Sequence, residues 1–526
     1  MRDFHLPGRS TVFASNGMCA TSHPLAAEVA LSLLKSGGNA MDAAIAGALI
    51  LNIAEPSMCG LGGDCFALFS PAGEDRVIGL NGSGRAPAGL DAESLRAAGS
   101  RRLSPEGIES VTLPGAVDAF CRLSEDWGRL GLPTLLAPAI AYARQGVPVA
   151  PRVAFDWADD APRLKGAARR FYLPDGKVPV TGTLFRAPEQ AEVLERIARE
   201  GRAGFYDGPV GADLVDSLRA LGGTHTAEDL QATSSFYTQP IAGNWGGFEV
   251  LEHPPNGQGA TALLLLNMLA GFDLASLDPF GSARAHLEAE LAKLAYMERN
   301  RLIADPASAK GAETMLDMQT ARRLAASFDP TRATASLPRP AEAMHRDTVY
   351  ITVVDRDLMA VSLIYSIFDG FGSGFASDRY GILFQNRGAG FSLVKDHPNE
   401  AAGGKRPMHT IIPGMVRQNG RVIMPFGVMG GHYQPTGHAR LLTNILTYGM
   451  DLQEAMDAPR SFGGPEGLEL ERGYAPAVRA ELAALGHQIT TPYTPLGGSQ
   501  AIWIDHARGV LIGGSDPRKD GIALGY

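Results

Sequence analysis

The stretch Asp347-Thr348-Val349-Tyr350-Ile351-Thr352-Val353-Val354-Asp355 decides the fold expected of this chain. Its side chains alternate over the length of a strand, and a second strand-like run, Ala360–Ile367, follows after a short polar turn. Together the two runs predict a β-hairpin. A hydroxyl side chain lies near each end of this hairpin, Thr348 at its start and Ser366 near its close.

Thr348 is the candidate nucleophile. A threonine inside a chain reacts poorly, because no neighbouring group takes its proton. A backbone cut before Thr348 would free its α-amine, whose unperturbed pKa of about 7.7 to 8.0 suits a general base. If the chain cuts itself there, the Thr348 Oγ would attack the carbonyl of Asp347, and water would hydrolyse the resulting ester. The alternative is an ordinary β-strand threonine. The products would be residues 1–347 and 348–526.

Further motifs follow one another along the whole chain. They are Thr21-Ser22-His23-Pro24, Gly37-Gly38-Asn39-Ala40, Gly60-Leu61-Gly62-Gly63-Asp64, Gly84-Arg85-Ala86-Pro87, Leu113-Pro114-Gly115, Pro254-Pro255-Asn256-Gly257, Lys405-Arg406-Pro407, Gly430-Gly431, Ala458-Pro459-Arg460 and Gly514-Ser515-Asp516-Pro517-Arg518. In this order, and with the Thr348 pattern, the chain resembles the γ-glutamyltransferase family of N-terminal-nucleophile hydrolases. The resemblance implies a four-layer αββα sandwich of mixed helices and sheets. It also implies one compact unit of two autocleaved pieces that stay associated.

Composition excludes several other classes of protein. Hydrophobic residues make up 45% of the 526 residues and charged residues 20%, as in ordinary soluble globular proteins. The net charge of −9 argues against nucleic acid binding, which needs a basic face. Four cysteines are too few for a disulfide framework in a chain of this length. The N-terminal residues lack the apolar segment of a secretory signal, so we expect a cytoplasmic protein without a membrane partner.

Local patterns predict individual elements. Helices are expected at Pro24–Ser36, with Asn39 as N-cap of the next helix, and at Ala283–Leu302. Gly381–Phe384 has the composition of a strand. The segment Ala307–Pro340 has weak periodicity, and we expect a mobile segment that leads to Thr348.

The resemblance implies the catalytic roles. Ser366 occupies the position of a family threonine whose hydroxyl orients the nucleophile; an ordinary strand serine is the alternative. Gly430-Gly431 matches the family's oxyanion pair, whose backbone N–H groups meet developing negative charge, and a plain turn is the alternative. No nucleotide-binding or metal-binding motif is complete, and His432 and His438 lack further ligands in the sequence, so no cofactor and no metal is expected.

The positions that bind the substrate's α-amine in the family carry different residues in this chain. γ-Glutamyl enzymes hold the substrate's α-amine with an asparagine and an aspartate. Counted from Thr348, these positions are Phe368 and Gly390 here. Neither side chain accepts a hydrogen bond from an ammonium group. Asp369 is a candidate replacement, although a surface turn explains it equally well.

Groups able to hold a carboxylate persist in altered form: Arg85, Arg387, His409 and Thr410. A site without an ammonium partner rejects an ammonium strongly, because an unpaired charge is costly to bury. We therefore expect a small-molecule amide whose acyl group carries a carboxylate but no neighbouring amine. Oxamate is the first choice, and a glutaryl-type amide is the second.

Alternatives to this function are of two kinds. One is a true γ-glutamyltransferase or glutathione hydrolase whose amine ligands come from elsewhere. The other is a non-processing scaffold or binding protein that kept the fold. The segment Phe391–Lys405 is also shorter than the lid of transpeptidating relatives, which favours hydrolysis over transfer. A homo-oligomer of the processed heterodimer is compatible with the sequence.

Overall fold

A computed structural model describes His5 and residues 8–334, 348–464 and 467–526. Within them, two seven-stranded sheets face each other, and helices cover the outer face of each sheet. This architecture confirms the αββα sandwich expected from the sequence. Asp347, the residue predicted to precede the cut, lies outside the described residues.

Strands are numbered along the chain. The first sheet contains, in spatial order, β1 (Val12–Ala14), β18 (Val510–Ser515), β17 (Gly498–Asp505), β13 (Arg421–Met429), β12 (Gly414–Gln418), β9 (Phe248–Glu252) and β8 (Ile241–Trp245). The second contains β19 (Ile522–Gly525), β2 (Met18–Thr21), β10 (Val349–Val354), β11 (Ala360–Ser366), β3 (Asp64–Ser70), β4 (Ile78–Gly82) and β7 (Phe236–Thr238). Two small sheets contain β14 (Ser461–Gly464), β15 (Gly467–Leu470) and β16 (Ile489–Thr490), and β5 (Val147–Pro148) and β6 (Leu184–Phe185). Neighbouring strands of both large sheets are antiparallel.

Helices form the two outer layers. On the second sheet lie α1 (Pro24–Lys35), α2 (Ala40–Ala54), α4 (Ala116–Trp127), α5 (Leu132–Gln145), α6 (Pro151–Asp160), α7 (Gly166–Tyr172), α8 (Pro188–Glu200), α9 (Ala203–Tyr206), α10 (Gly208–Ala220) and α11 (Ala227–Gln231). On the first sheet lie α12 (Gly259–Leu269), α13 (Ser282–Leu302), α14 (Met318–Ala325), α15 (Gln434–Leu446) and α16 (Leu452–Asp457). The short helices α3 (Ala92–Ala97) and α17 (Pro476–Ala484) pack in smaller apolar clusters.

Helix α2 lies in the helix layer that covers the second sheet, and its local sequence fixes where it begins. Every residue of α2 is buried. Asn39 and Asp42 form a capping box at its start, as the sequence predicted for Asn39. The carboxylate of Asp355 accepts a further bond from the amide of Ala40, so the hairpin turn and the helix start are joined.

The β-hairpin predicted between Thr348 and Ser366 is confirmed. In β10 and β11, Val349 pairs with Tyr365, so Thr348 and Ser366 lie at the same end of the second sheet. The facing strand β13 ends at Met429, immediately before Gly430. The central strands of both sheets therefore place the candidate nucleophile and the candidate oxyanion glycines in neighbouring layers.

The two predicted pieces interleave in the sheets. Strands β10 and β11, from residues after Thr348, lie between β2 and β3, from residues before it. At the sheet edge, the backbone carbonyl of Tyr526 accepts bonds from the amides of Ser15 and Asn16, at 3.2 and 2.8 Å. A cut before Thr348 would therefore leave two pieces joined by ladders of hydrogen bonds.

One strand expected from the sequence is wrong. Gly381–Phe384 is not a strand; its β-type pairing is a single bridge between Leu383 and Ala376, since Gly381 has a positive φ of 65° that breaks the extended run. The segment 307–340, for which mobility was predicted, contains α14, which Asp317 caps through the amides of Gln319 and Thr320. Residues 335–340 of that segment lie outside the described residues. Among the helices described, none has both the length and the apolar character needed to cross a membrane.

Candidate active site

Thr348 and Ser366 form the centre of the candidate site. The Oγ1 of Thr348 donates a hydrogen bond of 3.3 Å to the Oγ of Ser366, and both side chains are fully buried. The Ser366 Oγ also accepts a bond of 2.9 Å from the amide of Phe368. The hydroxyl of Ser366 is thus fixed beside the hydroxyl of Thr348, and its orienting role stays a prediction.

Arg387 joins this pair to Thr410. Its Nη2 donates to the Ser366 Oγ at 3.3 Å, and its Nη1 donates to the Thr410 Oγ1 at 2.7 Å. The guanidinium also lies 4.1 Å from the centre of the Phe368 ring, in a cation–π contact. The whole side chain is buried, and its Nε has no hydrogen-bond partner in the described chain.

The guanidinium of Arg387 keeps its positive charge. Burial lowers the pKa of its guanidinium to about 9, while the carboxylates of Asp64 and Asp369 raise it, so the group stays protonated at neutral pH. Each of these carboxylates is bonded to another side chain, Asp64 to His409 and Asp369 to Arg163. A buried guanidinium with an unused N–H is suited to bind a carboxylate.

Gly430 and Gly431 form a turn between β13 and α15. Their φ angles are 111° and 54°, a region that glycine enters without steric cost. A Cβ on Gly430 would lie 2.8 Å from the Cα of Gly497, so the position has no space for a side chain. Gly431 begins a short 3-10 turn. Backbone N–H groups at the start of a helical turn are suited to stabilise an oxyanion.

Gln258 connects the two halves of the site, and sequence reasoning missed it. Its Nε2 donates to the carbonyl of Thr410 at 2.7 Å and to the carbonyl of Gly431 at 3.0 Å. Its Oε1 accepts from the Nη1 of Arg299 at 3.0 Å, and Gln258 is fully buried. A continuous path of contacts therefore runs from Thr348 to Gly431.

Replacing Gln258 with glutamate tests this connection. A carboxylate cannot donate the two bonds that hold Thr410 and Gly431, so the glycine turn should lose its fixed orientation. We expect kcat to fall by about 10- to 100-fold, the loss of roughly 1.4 to 2.7 kcal/mol of transition-state stabilisation, with KM changed less than threefold. Steady-state kinetics of the variant and of Gln239→Glu, which lies in the turn between β7 and β8 and lines a different cavity, give the comparison. Equal losses in both variants would contradict the positioning role.

Phe368 and Asp369 lie where the sequence suggested a ligand for the α-amine of a substrate. Phe368 has a positive φ of 81°, which is unusual for a bulky residue. The carboxylate of Asp369 accepts from the Nη2 of Arg163 at 3.2 Å and from the Nδ2 of Asn386 at 2.8 Å. An arginine therefore already neutralises Asp369, which weakens the case for it as an ammonium ligand.

His409 lies behind the site. Its Nε2 donates to the carboxylate of Asp64 at 3.1 Å, its Nδ1 accepts from the amide of Ile411 at 3.3 Å, and its ring packs on Phe66. Burial raises the pKa of Asp64 to about 6, whereas Arg387 lowers it. Both ring nitrogens of His409 have protein partners. The structure thus does not give His409 the open nitrogen that its predicted grip on a substrate carboxylate needs.

Arg85 is not brought into the cluster. Its guanidinium donates to the carbonyl of Gly404 at 2.7 Å and lies 3.9 Å from the carboxylate of Asp305. Its side chain is 45% exposed. The sequence placed Arg85 among the carboxylate ligands because it lies two residues from Ser83, the position that aligns with the family's carboxylate-binding arginine. In the structure, Arg387 has the better position for that role.

A cavity of about 250 Å³ lies against this wall. Its lining comprises Arg101, Arg102, Leu103, Pro105, Arg299, Asn300, Ile303, Phe368, Asp369, Ala389, Gly390, Phe391, Ser392, Leu393, Val394, His397, Asn399, Met408 and His432. The short segment Phe391–Lys405 thus contributes one wall, held by packing of Phe391 and Leu393 in an apolar cluster. Gly390, the second amine-ligand position, lines the cavity without a side chain.

Comparison with known proteins decides the family. The sequence model described as Gamma-glutamyltranspeptidase matches residues 26–526. The chain belongs to the gamma-glutamyltranspeptidase family. As a family member it is an enzyme, a hydrolase of amide bonds of the N-terminal-nucleophile type.

Relatives within the gamma-glutamyltranspeptidase family differ in their named activities. The chain is 34% identical to the "Glutathione hydrolase-like YwrD proenzyme" of Bacillus subtilis, over 98% of this chain and 99% of that protein. It is also 34% identical to the "Oxamate amidohydrolase proenzyme" of Klebsiella pneumoniae, over 98% of this chain and 100% of that protein. Among solved structures, the cephalosporin acylase of Bacillus halodurans superposes with a TM-score of 0.93 at 36% identity, covering 100% of this chain and 99% of that one.

Proposed function

We propose that this protein is a self-processing amidohydrolase that cleaves amides whose acyl group carries a carboxylate close to the scissile carbonyl. Oxamate is the first candidate substrate. The observation that carries the proposal is the buried guanidinium of Arg387, which bonds the hydroxyl of Ser366 next to Thr348 and keeps an unused N–H. A carboxylate bound there would lie within a few bonds of the carbonyl that Thr348 attacks.

The proposed reaction has two halves. After cleavage before Thr348, its α-amine takes the hydroxyl proton while the Oγ adds to the amide carbonyl. The oxyanion forms against the N–H groups of Gly430 and Gly431. The C–N bond then breaks, the leaving amine takes the proton, and an ester on Thr348 remains. Water, deprotonated by the same amine, hydrolyses that ester and restores the hydroxyl. With oxamate the products are oxalate and ammonium.

The charges of the described site favour this acyl class over a γ-glutamyl group. Phe368 and Gly390 offer no side-chain acceptor for an ammonium, and Asp369 is paired with Arg163. A γ-glutamyl α-amine would therefore lie near the cation of Arg387 without an unpaired protein carboxylate to bind it. Repulsion and desolvation both weaken such binding.

Parallel assays test the proposal. Purified enzyme is given oxamate, with ammonia measured, and L-γ-glutamyl-p-nitroanilide, with p-nitroaniline measured. We expect kcat/KM for oxamate to exceed that for the anilide by at least about tenfold, a difference of 1.4 kcal/mol in transition-state binding. Higher turnover of the γ-glutamyl anilide would favour the glutathione hydrolase alternative instead. Succinamate, with its carboxylate two carbons further away, tests the proposed distance to Arg387.

Phe368→Asn should shift the selectivity toward γ-glutamyl amides. Asparagine tolerates the positive φ of this position better than phenylalanine, and its amide oxygen can accept a bond from an ammonium group. We expect the ratio of γ-glutamyl to oxamate kcat/KM to rise by about tenfold or more, for one new hydrogen bond to a charged group. The matched control is Phe368→Leu, which removes the ring without adding an acceptor. A ratio that rises equally in both variants would show that space, and not the acceptor, limits γ-glutamyl binding.

Hydrolysis is the proposed outcome in preference to transfer, because the short segment Phe391–Lys405 leaves the acyl-enzyme open to water. A cytoplasmic location remains a prediction from the sequence.

A further inference from the structure

We propose that His286, Glu290 and His487 form a binding site for a divalent metal ion of the zinc type, outside the candidate active site. His286 and Glu290 lie four residues apart on α13, and His487 follows α17. One ligand atom from each residue lies within 4.8 Å of the others, and all three residues are buried. This is the only such group of histidine, cysteine and carboxylate side chains among the described residues.

The orientation of His286 is already suited to a metal. Its Nε2 lies 2.9 Å from the carbonyl oxygen of Asp329. A carbonyl only accepts, so the ring proton is on Nε2, and the lone pair of Nδ1 points toward His487 Nε2, 2.8 Å away. Metal-binding histidines are commonly held in this way, with the second ring nitrogen donating to a backbone carbonyl.

The two distances from the His487 Nε2 require only a small adjustment. On tetrahedral zinc, with bonds of about 2.0 to 2.1 Å, two ligand atoms lie about 3.4 Å apart. The two histidine nitrogens would separate by about half an ångström from their present distance. The Oε1 of Glu290, now 3.9 Å from the His487 Nε2, would approach by a similar amount. Two imidazoles and one carboxylate are ligands that zinc prefers, and water can complete the set.

The ammonium of Lys293 already pairs with the carboxylate of Glu290 in this structure. This ammonium donates to the Oε1 of Glu290 at 2.7 Å and to the carbonyl of Thr334 at 2.8 Å. A metal ion would compete with this ammonium for Oε1. The other oxygen, Oε2, accepts from the amide of Thr334 at 3.0 Å and would keep the carboxylate in place.

The site would join the two predicted pieces. His286 and Glu290 precede Thr348, whereas His487 follows it. Glu290 also holds Thr334, the last described residue before the gap that leads to Thr348. A bound metal would therefore link the larger piece to the smaller one. This consequence depends on the proposed cleavage, but metal binding itself does not.

Zinc titration of the purified protein tests the site. The protein is stripped with a chelator and titrated with Zn²⁺ by calorimetry, with the melting temperature measured in parallel. We expect one zinc per chain and a melting temperature that rises with zinc concentration, because a ligand that binds only the folded state stabilises it. His487→Gln should lose both effects. The control His506→Gln, which removes a histidine bonded to the carbonyl of Val422, should keep them.

Two measurements work even if His487→Gln does not fold. Co²⁺ added to the unaltered protein should give the visible absorption of a tetrahedral site. Lys293→Gln, which removes the competing ammonium, should bind zinc at least about tenfold more tightly, or 1.4 kcal/mol.

The proposal is wrong if the stripped protein binds no zinc, or if zinc affinity is the same in His487→Gln, Lys293→Gln and the parent. The cluster would then be a hydrogen-bonded histidine pair beside an ion pair. Neither result depends on amidase activity, so the proposed function is tested separately.

Discussion

Thr348→Ala is expected to leave a single uncut chain of 55.5 kDa with no measurable amidase activity. The alanine lacks the hydroxyl that would attack the carbonyl before it, so neither the cut nor the acyl-enzyme can form. In the unaltered protein, intact mass should show two pieces, and N-terminal sequencing of the smaller should begin Thr-Val-Tyr. The expected loss is at least about 10⁴-fold in kcat, as for removal of other catalytic nucleophiles.

Thr348→Ser is the matched control for this experiment. Serine keeps a hydroxyl and an α-amine in the same place, so we expect cutting and turnover to continue at reduced rates. Two pieces from the alanine variant, or full activity in it, would contradict Thr348 as nucleophile. An uncut and inactive parent chain would instead support the scaffold alternative.

Arg387→Met should produce the second largest loss, in this case for carboxylate substrates. Methionine keeps a flexible apolar chain against Phe368 but removes the charge and both bonds to Ser366 and Thr410. Truncating one partner of a buried charged hydrogen bond costs about 2 to 5 kcal/mol. We therefore expect kcat/KM for oxamate to fall by about 10²- to 10³-fold.

The comparison variant is Arg85→Met. Both arginines were predicted from the sequence to grip the substrate carboxylate, but the side chain of Arg85 is 45% exposed and bonds Gly404. We expect Arg85→Met to stay within threefold of the parent. Arg387→Lys should give an intermediate loss, since a lysine supplies one charge but cannot bridge two hydroxyls. If Arg85→Met were the more damaging variant, the carboxylate site would have to be placed at Arg85.

The sequence predicted those structural elements and site residues that depend on a local pattern or on a family motif. The hairpin of β10 and β11 follows from alternation, and the start of α2 follows from the cap at Asn39. The positions of Thr348, Ser366 and Gly430-Gly431 came from residues that a family motif fixes. The structure brings these residues together through contacts that no single motif describes.

The remaining features depend on contacts between distant parts of the chain. Gln258 bonds partners 152 and 173 positions away, so nothing near it in the sequence reveals its role. His409 seemed a substrate ligand by its position after Lys405-Arg406-Pro407, but the partner that occupies it, Asp64, is 345 positions away. His286 and His487 are 201 positions apart, and neither belongs to a metal-binding spacing. For such residues, burial and partners could not be predicted from neighbours in sequence.

The contact of Tyr526 with Ser15 and Asn16 suggests a way to separate maturation from catalysis. Because residue 526 lies beside residues 15 and 16, which follow β1 directly, a glycine-rich linker could join residue 526 to the residues that precede β1. A circularly permuted gene could then open with the codon for Thr348, and removal of the initiator methionine would expose the threonine amine directly. The threonine amine of such a permutant would be free without self-cleavage. Its turnover could therefore be measured without any preceding peptide-bond cleavage.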